Sequence, residues 1–485
     1  MSATSALRRA ALVAAAAFIP GCASADADGA ARSDREAFAA DVATRAGVRP
    51  PLDADDAASS AALRELLARP WTEDAAVRAA LVAHRGVRAA YESLGVASAD
   101  WVSAGLVRNP RLDLSAKFFS PGTEIESEIL APLFDLVDRA PRLRRAEAMR
   151  ASAATGARRE VVARVFDVRE AWTRWHAARR LAAARLASAH AAADAASLAE
   201  RLHAAGNVAP ATFSAAQVAA ARLRLAAAEA AAEVDEFREE LNAAAGLWGA
   251  DAAAWGAAEG GDAEVAASRS SGPGDDGLDD VEARAIAASL DLAARTSELD
   301  LIAQEAGRAA RDAVFAEAEL GVAFKREPGG ESGFGPGASI PIPLFDAGAA
   351  ATAAGEARLR AAVARRHVLA VEIRAAARRL RERVLSAEAR AAFVRDAWLA
   401  AAARRTVDVL QEYNAMQIGA LDVLEARRAE IDAQAATIVA ERDARLARLA
   451  LERLLAGVYM RPSTPGGGEA ASGHDAEATP SGKGH

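Results

Sequence analysis

The residue types that perform chemistry are present in this 485-residue chain, but not at the spacings catalysis uses. Seven histidines are scattered, and none stands in an HExxH pair. There is no GxSxG elbow, and Gly482-Lys483 lacks the upstream glycine and the following Ser or Thr of a phosphate-binding loop. His474 and His485 fall in a Pro/Gly/Ser-rich tail and read as incidental. A lone cysteine excludes an intrachain disulfide framework and a Cys-based zinc site. No catalytic residue, metal or cofactor is expected. What remains is carboxylates in stripes. Glu124, Glu126 and Glu128 alternate, Asp113 precedes them, and Glu317 and Glu319 recur much later. At a period of two they share one face of a strand, with Arg111, Lys117 and Lys325 as the opposing charges. Such carboxylates act as a field rather than as reagents. Around an aqueous passage they favour cations; elsewhere they are a solvated face. A second pair, Asp422 and Glu425, stands three apart at a helix start, where a carboxylate stabilises the helix dipole by about 0.3–1 kcal/mol.

These stripes require hairpins. Leu112, Leu114, Ala116 and Phe118 alternate with Arg111, Asp113, Ser115 and Lys117. Ser120-Pro121-Gly122 is a turn, and Thr123–Ala131 alternates again. Pro132-Leu133-Phe134-Asp135 ends the hairpin, and a nearly continuous helix is expected from Asp135 to about His203, with Pro141 near its start. Gly206-Asn207 breaks it, and a return helix runs from Pro210 to Ala245. The junction recurs as Pro343-Leu344-Phe345-Asp346, its Phe 211 residues beyond Phe134. It again follows two alternating stretches, ending at Ile342, and leads into a long helix expected to break at Gly419. The chain is thus a tandem repeat of hairpin, long helix, tip and return helix.

Composition agrees with helices packed side by side: 52% hydrophobic but only 5% aromatic, with mean hydropathy +0.01. A net charge of −8 gives no reason to expect nucleic acid as a partner. Arg8-Arg9, the apolar run Ala10–Ile19 and Pro20-Gly21-Cys22 form a secretory signal, residues 1–21, whose Cys22 resembles the lipidated cysteine of a bacterial lipobox. Residues 22–70 read as a lipid-anchored tether with one short helix, 71–255 as the first repeat with its hairpin at 111–131, and 256–280 as a linker. The second repeat occupies 281–458, with its hairpin at 316–342, and 459–485 is a disordered tail. No stretch beyond the signal reaches 18 uncharged apolar residues, so any membrane crossing must use β-strands. Four strands do not close a barrel. Either several chains share one or the strands form a small soluble sheet.

The motifs carry a resemblance. Asn109-Pro110 before the first strand, the two Pro-Leu-Phe-Asp junctions, Ile340–Gly348, and Tyr413–Leu424 at the second tip together resemble the TolC-type outer-membrane efflux protein family, over nearly all of Trp71–Val458. The resemblance implies a mainly α fold with a small β part. Long antiparallel helical hairpins would form a periplasmic tunnel, and four transmembrane strands per chain would complete a 12-stranded barrel in a homotrimer. It implies an outer membrane of a Gram-negative bacterium, surrounding outer-membrane lipid, and a passive exit duct that meets a periplasmic adaptor (membrane fusion) protein and an inner-membrane pump. Gly206, Asn207 and Gly419 would mark the docking tips, and Asp422 and Glu425 would line the periplasmic entrance as rings of like charge. Pro210 departs from the commoner tip pattern. A periplasmic coiled-coil adaptor or scaffold lipoprotein without a pore is the alternative.

Overall fold

The computed structural model describes residues 27–51, 56–69, 71–106, 109, 111–119, 122–131, 134–256, 280–315, 319–327, 331–339 and 348–461. Cys22, Pro132, Glu317, Pro343, Phe345 and Asp346 lie outside them. The first half runs α1 (Ala27–Ala46), α2 (Asp56–Leu67), α3 (Glu73–Ala83), α4 (Arg85–Gly105), β1 (Arg111–Phe119), β2 (Gly122–Ala131), α5 (Phe134–Ala204), α6 (Pro210–Ala245) and α7 (Ala250–Ala254). The second half runs α8 (Val281–Ala288), α9 (Leu290–Phe315), β3 (Glu319–Arg326), β4 (Ser332–Ser339), α10 (Ala349–Phe393), α11 (Ala400–Asn414) and α12 (Ala420–Leu455). The two halves repeat the same order, hairpin then long helix then return helix.

Helix α5 has 71 residues, a rod of roughly 105 Å. Pro141 stands two turns inside it rather than in its first turn, so the rod continues past a position without an N–H donor. The long helices lie side by side in the order α6, α5, α12, then α10 and α11, so that α6 and α10/α11 are the lateral edges. Alanines let them approach closely: Ala376, Ala377, Ala387 and Ala391 of α10 and Ala433, Ala440 and Ala447 of α12 are all buried. In the second repeat the expected single helix is interrupted by a π-helical segment, Val394–Leu399, between α10 and α11. Such a segment adds a residue to one turn and shifts the faces beyond it.

The waist holds the main core. Trp71 stacks on Trp255 with centroids 4.5 Å apart, and Trp175 meets Trp255 edge-on at 4.9 Å. The Trp255 indole N–H donates to Asn242 at 2.8 Å, and the Trp71 backbone N–H donates to Gly256. Thr72 caps α3 as its sequence suggests, accepting from Ala75 N–H at 3.1 Å. Charged groups are drawn in as pairs. Glu73 holds Arg445 at 3.1 Å, and Arg453, only 6% exposed, donates to Asp167 at 2.8 Å. Burial pushes the nearby Glu170 and Glu452 carboxyls above the usual range, against the pull of Arg453 and Arg445 respectively.

The described residues between 27 and 69 are not the loose tether their composition suggests. Phe38, Val42 and Ala46 of α1, one turn apart, enter the waist core together with Val48 and Leu67. Asp34 receives two hydrogen bonds from Arg150, at 2.6 and 2.8 Å, and one from Ser98 at 2.7 Å. Arg45 donates to the carbonyls of Ala288 and Ala456, in the second repeat. The ordered chain also extends past Val458. Tyr459 is buried, its N–H donates to Asp291, and Arg461 pairs with Glu372 at 3.1 Å.

Candidate channel wall and entrance

The four strands form one antiparallel sheet in the order β1-β2-β3-β4, so β1 and β4 are both open edges. Its register decides which side chains share a face. Asp113 stands opposite Glu128, Ser115 opposite Glu126, and Lys117 opposite Glu124. Across the next ladder Glu126 meets Lys325 and Glu128 meets Ala323, and Glu319 pairs with Ser339 of β4. The register therefore gathers Asp113, Glu124, Glu126, Glu128 and Glu319 on one side with Arg111, Lys117 and Lys325. That side is less acidic in effect than the sequence stripe implies. Lys325 Nζ reaches Glu124 at 3.1 Å and Lys117 Nζ reaches Glu126 at 3.7 Å, both along diagonals. By register, five carboxylates against three cations leave this side a net charge of about −2. The same side of β4 carries Gly333, Gly335 and Gly337, so this edge presents almost bare backbone there. Pro336 is in keeping with an edge strand.

Among the described side chains the opposite side is mostly apolar and exposed, with Arg326 at its margin. Leu112, Phe118, Val322 and Phe324 lie on it, and Phe118 is 83% exposed. Strands of 8–10 residues are close to the span of a tilted transmembrane strand. Among the described residues no helix is long and apolar enough to cross a membrane. Phe134 and Asp135 lie at the point where β2 hands over to α5.

At the far end of the helices both tips close in the same way. Gly206 is left-handed (φ 76°), and the Asn207 N–H donates back to the Leu202 carbonyl at 2.8 Å. In the second tip Met416 takes the left-handed position (φ 61°), and the Gln417 N–H donates to Glu412 at 3.0 Å. These are Schellman closures, and they make Gly206 equivalent to Met416. Gly419, expected as the breaking residue, is instead the N-cap of α12 with an ordinary φ of −86°. It matches Ala209, the N-cap ahead of Pro210. Pro210 therefore sits at a helix start, where its missing N–H costs nothing. The first tip is braced by His203, whose ring stacks on Phe213 with centroids 5.3 Å apart.

Asp422 accepts from the Gly419 N–H at 3.0 Å, which makes it a cap of α12. Both Asp422 and Glu425 are exposed one turn from the tip. A feature that sequence reasoning missed is Met416, 94% exposed and left-handed, at the outermost point of the second tip. The signal was absent, because the run Asn414-Ala415-Met416 holds no glycine to mark a position at φ above zero.

Solved structures share this architecture. The outer-membrane protein VceC from Vibrio cholerae superposes with a TM-score of 0.62 at 17% identity, over 82% of this chain and 97% of that one. The CmeC outer-membrane channel of Campylobacter jejuni gives 0.58 at 11% identity, over 82% and 86%. The fold is that of the TolC-type outer-membrane channels. The open state of the Neisseria gonorrhoeae MtrE outer-membrane channel also matches, at 0.54 and 16% identity over 81% and 89% of the two chains. No protein-family model and no curated protein sequence matches the chain. The TolC-type fold is therefore carried by pattern and packing, at a level of identity where most individual side chains have changed.

Proposed function

We propose that three copies of this chain form the outer-membrane channel of a tripartite efflux or type I secretion system. The observation that carries the reading is the sheet. It exposes an apolar face, has two open edges, and is built from strands of membrane length. In lipid an open edge leaves unpaired amides, which is not viable. Three such sheets joined edge to edge make a twelve-stranded closed barrel, with the apolar faces toward lipid and the charged faces toward the lumen. A scaffold without a pore has no use for such a sheet.

The long helices then continue as a tunnel into the periplasm. Their tips, at Gly206, Asn207 and the segment 415–419, would meet a periplasmic adaptor that joins an inner-membrane pump. Asp422 and Glu425, tripled by symmetry, would set a hydrated, cation-attracting ring at the entrance. Cys22 would carry lipid chains, each buried CH2 contributing about 0.8 kcal/mol to anchoring. The duct works by shape and field and performs no covalent step.

The test is the native mass of the protein extracted by detergent from purified outer membranes. The reading expects a β-containing trimer that resists washing with salt. A monomer released by salt alone would contradict it and favour the scaffold.

A further inference from the structure

The helical layer has two uncovered edges, and they are complementary. On α6, Val218, Arg222, Leu225, Glu229, Glu233 and Glu236 recur at steps of three and four and are all exposed. They lie away from the face that buries Ala230 and Leu241. Beside this stripe runs a line of small exposed residues, Ala221, Ala228 and Ala232, which permits close approach. On α10, Arg379, Arg383 and Arg390 form an exposed stripe away from the face that buries Val384, Ala387 and Ala391. Beside it Ala375 and Ala389 are exposed. Among the described residues, Glu229, Glu233, Glu236, Arg383 and Arg390 make no ion pair.

The equivalent tips give a common origin for height. Residue 233 lies 27 positions past Gly206, and residue 389 lies 27 positions before Met416. The acids at 229–236 are therefore level with 386–393, which contains Arg390, and Arg383 follows within a turn. Helix α6 runs away from its tip and α10 runs toward its own, so edges brought together meet antiparallel. Each charged stripe is displaced from its line of alanines in the same rotational sense. For two right-handed helices meeting antiparallel, that places acids and arginines on the same side of the junction.

We propose that α6 of one copy docks antiparallel on α10 of the next copy, with Glu229, Glu233 and Glu236 facing Arg383 and Arg390. The inference rests on the three-copy reading and adds its register. The contact is head-to-tail, which closes a ring, and it is of the same kind as the sheet requires, whose open edges β1 and β4 also come one from each repeat.

Two experiments on the full-length protein test it. Arg383→Glu with Arg390→Glu is expected to lose most of the trimer on native gels. Adding Glu229→Arg and Glu233→Arg is expected to restore it, which separates a broken contact from a misfolded chain. Separately, Ala232→Cys with Ala389→Cys is expected to give oxidised dimers and trimers under denaturing conditions, absent from either single variant, because the two positions lie on opposite edges of one chain. A trimeric wild type with no cross-link and no rescue would overturn this docking alone. A wild type that is not trimeric would overturn the reading beneath it.

Discussion

At the scale of single residues, the capping role of Asp422 can be separated from the entrance role proposed for it. Its carboxylate accepts the Gly419 N–H and so starts α12; in the proposed channel its charge would also act on whatever passes the tip. Asp422→Asn keeps an oxygen for Gly419 and removes the charge. It should cost at most about 1 kcal/mol, the dipole contribution of one carboxylate, with little change in melting temperature. If the entrance ring exists, the same change lowers the cation-to-anion permeability ratio of the reconstituted protein. An unchanged ratio would leave Asp422 as a cap only. The alternating Glu124, Glu126 and Glu128 were legible from period alone, but their pairing was not. Lys325 and Lys117 reach them across strands, and the register that allows this depends on how two hairpins 211 residues apart come together. Met416 was illegible for a different reason. A left-handed backbone at a non-glycine residue is imposed by the closure of the tip and leaves no mark in composition.

At the scale of elements, the hairpins and long helices follow from the sequence because period two and long Ala/Leu/Arg runs are strong local signals. Helix α1 does not, because Phe38, Val42 and Ala46 are sparse among Ala, Asp and Arg, and its core partners come from α4 and α5. The π-helical segment at Val394–Leu399 is equally silent, since it answers to packing rather than to residue type. The docking of α1 gives a pH-dependent prediction. Burial opposes ionisation of Asp34, but hydrogen bonds from Arg150 and Ser98 outweigh it and hold the carboxyl below the usual range. A carboxylate depressed in the folded state contributes stability that is present above its unfolded value, about 3.9, and is lost as pH falls through the folded value. Asp34→Asn should therefore melt at a lower temperature than wild type at neutral pH. The gap should close as pH falls below about 3.9. A gap that persists unchanged to pH 2 would show that the loss is one of shape and not of charge.

At the scale of the whole molecule, one chain is an incomplete object. Its sheet has two open edges and its helical layer has two more, and in each case one edge comes from each repeat. Duplication accounts for this: each half supplies one hairpin and one pair of long helices, and in the proposed trimer the wall of two such units closes with further copies. If the charged side lines the lumen of the proposed barrel, its acidic excess of about −2 per chain is tripled and gives a modest preference for cations. The most direct measurement of the central claim is the current through planar bilayers holding the purified protein, with salt gradients to read ion preference. The account predicts discrete conductance steps from the trimer and a reversal potential on the cation side. Trimers that insert into the bilayer and pass no current at any voltage, open or stepped, would contradict it.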